Sequence, residues 1–144
     1  MTAPPLASTP LALTTPAVTT PAVTVWFDGD CPLCVREIAL MRRLDRRGAI
    51  DFVDVTGDGS CPTDRAELLA RFHAQEAGGP MVSGAAAFAA LWRAIPVLAP
   101  FGRMARNPVL LWGLERAYRG FLRLRPRLQA LVRRLEKTPR GGRA

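Results

Sequence analysis

The chain has 144 residues, 49% of them hydrophobic, and a mean hydropathy of +0.08, which suits one packed domain and excludes a wholly disordered chain. No charge-free apolar run approaches the roughly 20 residues that cross a bilayer, so a soluble protein, or one touching membranes only at their surface, is expected. The net charge of +8 is uneven: residues 1–100 carry 8 basic and 10 acidic groups and residues 101–144 carry 12 and 2, so the pI near 11.1 belongs to the C-terminal third.

Residues 1–22 are uncharged and rich in Pro, Thr and Ala. Five prolines (Pro4, Pro5, Pro10, Pro16, Pro21) recur too often for a helix or a central strand, and a disordered leader is expected. Order begins with Val23-Thr24-Val25-Trp26-Phe27, a β-branched and aromatic run that reads as a buried strand. Pro32 stands where a helix accepts proline, in its first turn. Leu33, Ile38, Met41 and Leu44 continue an apolar face, and Gly48 is placed to end the helix. Ile50 to Val55 follows as a second strand, which predicts a βαβ unit with parallel strands.

After a Gly- and Asp-rich loop from Thr56 to Pro62, Thr63 and Asp64 cap a short helix running to about Ala70. Arg71 to Gln75 and Pro80 to Ser83 read as two strands joined by the hairpin residues Ala77-Gly78-Gly79. Ala85 to Ala94 is helical and closed by Pro96. The core is therefore βαβ followed by αββα over residues 23–96. Residues 97–137 form a basic, amphipathic, all-helical extension, interrupted near Pro100, Gly102, Pro108 and Pro126, and residues 138–144 form a flexible tail.

Three cysteines are too few for a disulfide scaffold. Cys31 and Cys34 form a C-x-x-C delivered by a strand to a helix N-terminus, where free amides and the helix dipole favour an anion. Cys31 is expected to ionise at roughly 3.5–7.5 rather than the usual ~8.5. One helical turn puts Cys34 beside it, one turn deeper, as the resolving thiol. Asp28 and Asp30 pull the other way, since a nearby carboxylate disfavours thiolate. One of them, Asp28 before Asp30, is a candidate acid/base for Cys34, and helix capping by both is the equal alternative. Trp26, Phe27 and Leu33 are expected to shield the thiols.

The run Val25-Trp26-Phe27-Asp28-Gly29-Asp30-Cys31-Pro32-Leu33-Cys34 resembles the DCC family of predicted thiol-disulfide oxidoreductases, whose D-G-x-C-x-x-C signature is matched by Asp28, Gly29, Cys31 and Cys34. Arg42 to Gly48, Ile50 to Asp54, and Val82-Ser83-Gly84 with Ala87 to Trp92 resemble its later segments. The resemblance spans roughly residues 23–125 and implies an α/β, thioredoxin-like fold with the C-x-x-C as redox centre. It implies dithiol–disulfide exchange on a protein or small-molecule disulfide, with an external reductant and no bound cofactor. In one respect the chain departs from thioredoxin-fold enzymes, which hold a cis-proline just before the third strand, opposite the C-x-x-C. Pro62 comes too early for that place, and Pro80, following Gly79, reads more readily as part of the hairpin than as that proline.

Parts of the same segment also fit other chemistries. Asp28-Gly29-Asp30 after an apolar strand also resembles the start of haloacid-dehalogenase-like phosphatases, but that chemistry needs a later lysine and an acidic pair, and Lys137 is the sole lysine. Cys31, Cys34, Cys61 and His73 form a conceivable zinc set without a second paired knuckle. The basic C-terminal helices either pack on the core or, over residues 104–135, dock a partner or an anionic membrane in a redox-silent domain. No nucleic-acid motif is present. With no charged segment ahead of an apolar stretch to signal secretion, a reducing cytoplasm is the expected compartment.

Overall fold

The computed structural model describes residues 20–137; the expected leader, as far as residue 19, and the tail from 138 lie outside them. The elements are β1 (Val23–Phe27), α1 (Pro32–Leu44), β2 (Ile50–Asp54), α2 (Arg65–Ala70), β3 (His73–Glu76), β4 (Met81–Ser83), α3 (Ala85–Ala94), α4 (Ala99–Met104) and α5 (Pro108–Lys137). The sheet order is β2-β1-β3-β4. β1 runs parallel to β2 and antiparallel to β3, and β3 pairs antiparallel with β4. The fold is α/β and thioredoxin-like.

β1 is buried on both faces because its residues alternate between two clusters. Val23, Val25 and Phe27 pack with Ile38 and Met41 of α1 and with Ala87, Ala90 and Leu91 of α3. Trp26 points the other way, onto Val55 and Leu68 of α2. The sheet is thus sandwiched, and the end of β1 is held rigidly where it feeds Asp28 and the cysteines into α1.

Two expectations need correction. α1 ends at Leu44, capped by Asp45, before Gly48. The Asp45 carboxylate accepts the amides of Ala49 and Ile50, both at 3.0 Å, and so ties the helix end to β2, while Gly48 takes φ +60° in the intervening turn. Pro126, in turn, does not interrupt α5, which runs unbroken for 30 residues. Pro126 is exposed, and the helix is fastened to the core on both sides of it. The interruption expected near Pro108 does occur, at Ala105 to Asn107, where Asn107 Oδ1 accepts the amides of Val109 and Leu110 and starts α5.

α5 packs against α1 and α3. Its sheltered positions, Leu111, Glu115, Tyr118, Leu122, Arg125, Gln129 and Val132, recur at steps of three and four, the period of a packed helical seam. Beyond Pro126 the apolar side chains lie largely on the outer side: Leu128, Leu131 and Leu135 are exposed, and only Val132 turns inward. Glu115 Oε2 accepts the amide of Ala85 at the start of α3 and its other oxygen pairs with Arg71. Tyr118 Oη accepts the amide of Phe72 at 2.9 Å, just ahead of β3. Among the described residues there is no cis peptide bond, so Pro80 is trans.

Candidate active site

The approach to the cysteines is built around Asp54, at the end of β2. Its carboxylate accepts the Gly29 amide at 3.1 Å, the Thr56 amide at 2.9 Å and the Thr56 hydroxyl at 2.6 Å. Burial works against its charge, but these donors and Arg42 outweigh it and hold Asp54 below the usual carboxylate range. A Cβ on Gly29 would lie 2.0 Å from Asp54 Oδ2, so glycine is required because the Asp54 carboxylate occupies that space. Asp28 Oδ1 accepts the Asp30 amide at 3.0 Å and closes the turn.

Cys31 is itself the N-cap of α1: its sulfur accepts the Cys34 amide at 3.2 Å. The capping expected of Asp28 and Asp30 is therefore supplied by the cysteine, with Pro32 in the first turn contributing no competing amide. The two sulfurs are 2.6 Å apart as free thiols, with the Cys34 Sγ–H donating to Cys31 Sγ.

The order of burial differs from the expected one. Cys31 is 1% exposed and Cys34 is half-buried. The reason is α5, which lies across the helix N-terminus and places Gln129 Nε2 3.0 Å from Cys31 Sγ. Arg125, four residues earlier, reaches Asp28 Oδ2 at 3.0 Å, Cys34 Sγ at 3.5 Å and the Leu69 carbonyl at 3.2 Å. Beyond them, Arg36 of α1 pairs with Glu136 at 2.8 Å.

The electrostatics separate the two sulfurs. For Cys31, burial resists ionisation, but the Cys34 thiol and amide, Gln129 and Arg125 together overcome it and hold the thiol below its ordinary value. For Cys34, burial comes first, followed by its hydrogen bond to Cys31 and that sulfur's charge, and the thiol is pushed up to about 12. Ionisation is thus favoured at Cys31 and disfavoured at Cys34.

Arg125, Gln129 and Asp54 were not among the residues singled out from the sequence. Arg125 and Gln129 had a signal: they are polar side chains at inward seam positions of α5 that, Glu115 apart, are otherwise filled by Leu111, Tyr118, Leu122 and Val132. Of the residues that were singled out, Asp28 lies beside the pair, bound to Arg125, and Asp30 is exposed. Trp26, Phe27 and Leu33 line an apolar cavity together with Cys34. Cys61 Sγ donates to Gly59 O at 3.6 Å and His73 Nδ1 to Arg71 O at 2.8 Å. Among the described residues, no three His, Cys, Asp or Glu side chains gather as a metal site.

The profile of the DCC1-like thiol-disulfide oxidoreductase family matches residues 25–131. The chain belongs to that family. The matched stretch takes in Asp54, Arg125 and Gln129 as well as the C-x-x-C, and with them α5 as far as residue 131. The chain is also similar to an uncharacterized chloroplastic protein of Arabidopsis thaliana, 30% identical over 125 residues, covering 77% of this chain and 57% of the relative. It therefore spans little more than half the length of that plant protein. No solved structure matches. Among the described residues, no helix of this DCC1-like chain is long and apolar enough to cross a membrane.

Proposed function

We propose that the protein is a dithiol–disulfide exchange enzyme in which Cys31 attacks and Cys34 resolves. The Cys31 thiolate attacks one sulfur of a substrate disulfide, forms a mixed disulfide, and expels the other sulfur as thiolate. Cys34 loses its proton and attacks Cys31 Sγ, closing the Cys31–Cys34 disulfide and releasing the second substrate thiol. An external dithiol then restores the pair. Asp28 keeps Arg125 beside the two sulfurs, and Asp30 stands at the solvent edge. The substrate class is a protein or small-molecule disulfide, and a reducing compartment such as the cytoplasm suits a resting dithiol.

The observation that carries this reading is the unequal pair: a thiolate-stabilised Cys31 receiving a hydrogen bond from a Cys34 thiol 2.6 Å away. The test is turnover of a model protein disulfide with dithiothreitol as terminal reductant. Wild type should accelerate reduction, Cys31→Ser should not, and Cys34→Ser should accumulate the mixed disulfide. Equal rates for wild type and Cys31→Ser would contradict it.

A second reading, docking on an anionic membrane surface, is favoured by the exposure of Val97, Phe101, Met104, Val109 and Trp112 beside Arg103, Arg106 and Arg116. Cosedimentation with phosphatidylglycerol vesicles but not with phosphatidylcholine vesicles would support it, and recovery from neither would remove it.

A further inference from the structure

The resolving step leaves one proton without a destination. Cys34 carries it in a half-buried setting where burial raises the thiol above its ordinary value, so its attack on Cys31 needs a base at neutral pH. The apolar cavity that holds Cys34 is lined by two carboxylic acids, Asp28 and Glu37. Asp28 is already engaged: one oxygen binds Arg125 and the other accepts the Asp30 amide.

Glu37 lies three residues along α1 from Cys34, on the same face of the helix one turn on. It lines both the Cys34 cavity and the adjoining apolar groove of Phe88, Trp92, Tyr118 and Phe121. Among the described residues, its carboxylate has no hydrogen-bond or ion-pair partner. The other charged or titratable groups facing the cavity have partners of their own: Arg71 is bound to Glu115, Arg125 to Asp28, and the Tyr118 oxygen to the Phe72 amide.

We propose that Glu37 is the base that takes the Cys34 proton during resolution, a role that rests on the exchange reading above. As Cys34 Sγ bonds to Cys31 Sγ, the bond from Cys31 to the substrate sulfur breaks and its electron pair leaves with that sulfur. The Cys34 proton passes to the Glu37 carboxylate and from there to solvent or the departing thiolate. Burial raises Glu37 above the ordinary carboxylate value, which strengthens it as a base.

The test separates the two steps in the full chain carrying Cys61→Ser. With 5,5′-dithiobis(2-nitrobenzoate), Cys31 releases one thionitrobenzoate on attack, and Cys34 releases a second on resolution. Glu37→Gln should keep the first phase and slow the second by ~100-fold near neutral pH, with the residual rate climbing as hydroxide replaces the carboxylate. An intact first phase and an unchanged circular dichroism spectrum would separate this from misfolding. Glu37→Asp, which keeps the carboxyl, should recover part of the rate. A second phase whose rate and pH profile are the same in Glu37→Gln, or one slowed only by Asp28→Asn, would overturn the proposal. A parent chain with no second phase would overturn the exchange reading and the proposal with it.

Discussion

At the residue scale, Cys31 is a buried thiol whose neighbours reverse the effect of burial. Its direct donors are the Cys34 thiol, the Cys34 amide and Gln129, and a hydrogen bond to a charged acceptor is worth roughly 1.5–3 kcal/mol. Following thiolate absorbance near 240 nm against pH should show Cys31 titrating below an ordinary thiol and Cys34 near 12. Gln129→Leu should move the lower step upward by roughly 1 pH unit, and an unmoved step would mean that the amide does not hold the thiolate. Because the folded Cys31 value is depressed, its contribution to the stability of the reduced protein is present above the unfolded thiol value and is lost as pH falls through the folded one. Gly29→Ala should destabilise the fold by about 1–3 kcal/mol, read from urea midpoints, because its methyl meets a carboxylate tethered by three hydrogen bonds. The two cysteines and Gly29 were legible in the sequence because their types and spacing are local. Asp54 was not, since 25 residues separate it from the glycine amide it accepts.

At the element scale, β1, β2, α3 and the β3–β4 hairpin were readable from alternation, caps and turn residues, each a property of a few neighbours. α5 was misread near Pro126 because proline removes one backbone donor and disfavours a helix by ~3 kcal/mol, a local cost that the sequence displays. Opposing it is the tertiary seam, with Leu122 and Arg125 on one side and Gln129 and Val132 on the other, which the sequence displays only once the correct stripe is known. Pro126→Ala should therefore stabilise the protein, by about 1–3 kcal/mol in chemical denaturation; a loss of stability would show that the proline shapes the seam. Glu115 joins α5 to Arg71 and to the start of α3, and it titrates below the usual carboxylate range: burial opposes its charge, but Arg71, the Ala85 amide and Arg119 outweigh it. Glu76, held by Arg93 against burial, behaves alike. Stability from both is present above the unfolded carboxylate range and is lost as pH falls through their depressed values. Glu115→Gln should flatten that acid limb of the melting-temperature profile.

For the whole molecule, the helical extension is the lid of the site. The C-terminal third holds most of the positive charge, and two of its side chains reach the sulfur pair, Arg125 at Cys34 and Gln129 at Cys31, where negative charge is favoured. Oxidation to the Cys31–Cys34 disulfide removes that charge and with it part of what holds α5 down. Hydrogen exchange of residues 126–137 should accordingly be faster in the disulfide form than in the dithiol form, and equal protection would show that the thiolate contributes nothing to seating the helix. Local patterns anticipated the sheet, but the lid depends on contacts between residues nearly 100 positions apart, such as Gln129 with Cys31, and neither composition nor periodicity reports such a pairing. The central claim is that Cys31 and Cys34 form a working redox pair, and the direct measurement is their state in defined glutathione buffers, read by mass spectrometry after alkylation. A working pair gives a reversible Cys31–Cys34 disulfide with a single definable potential. Thiols that never pair, or a Cys31–glutathione adduct that Cys34 leaves unresolved, would contradict it.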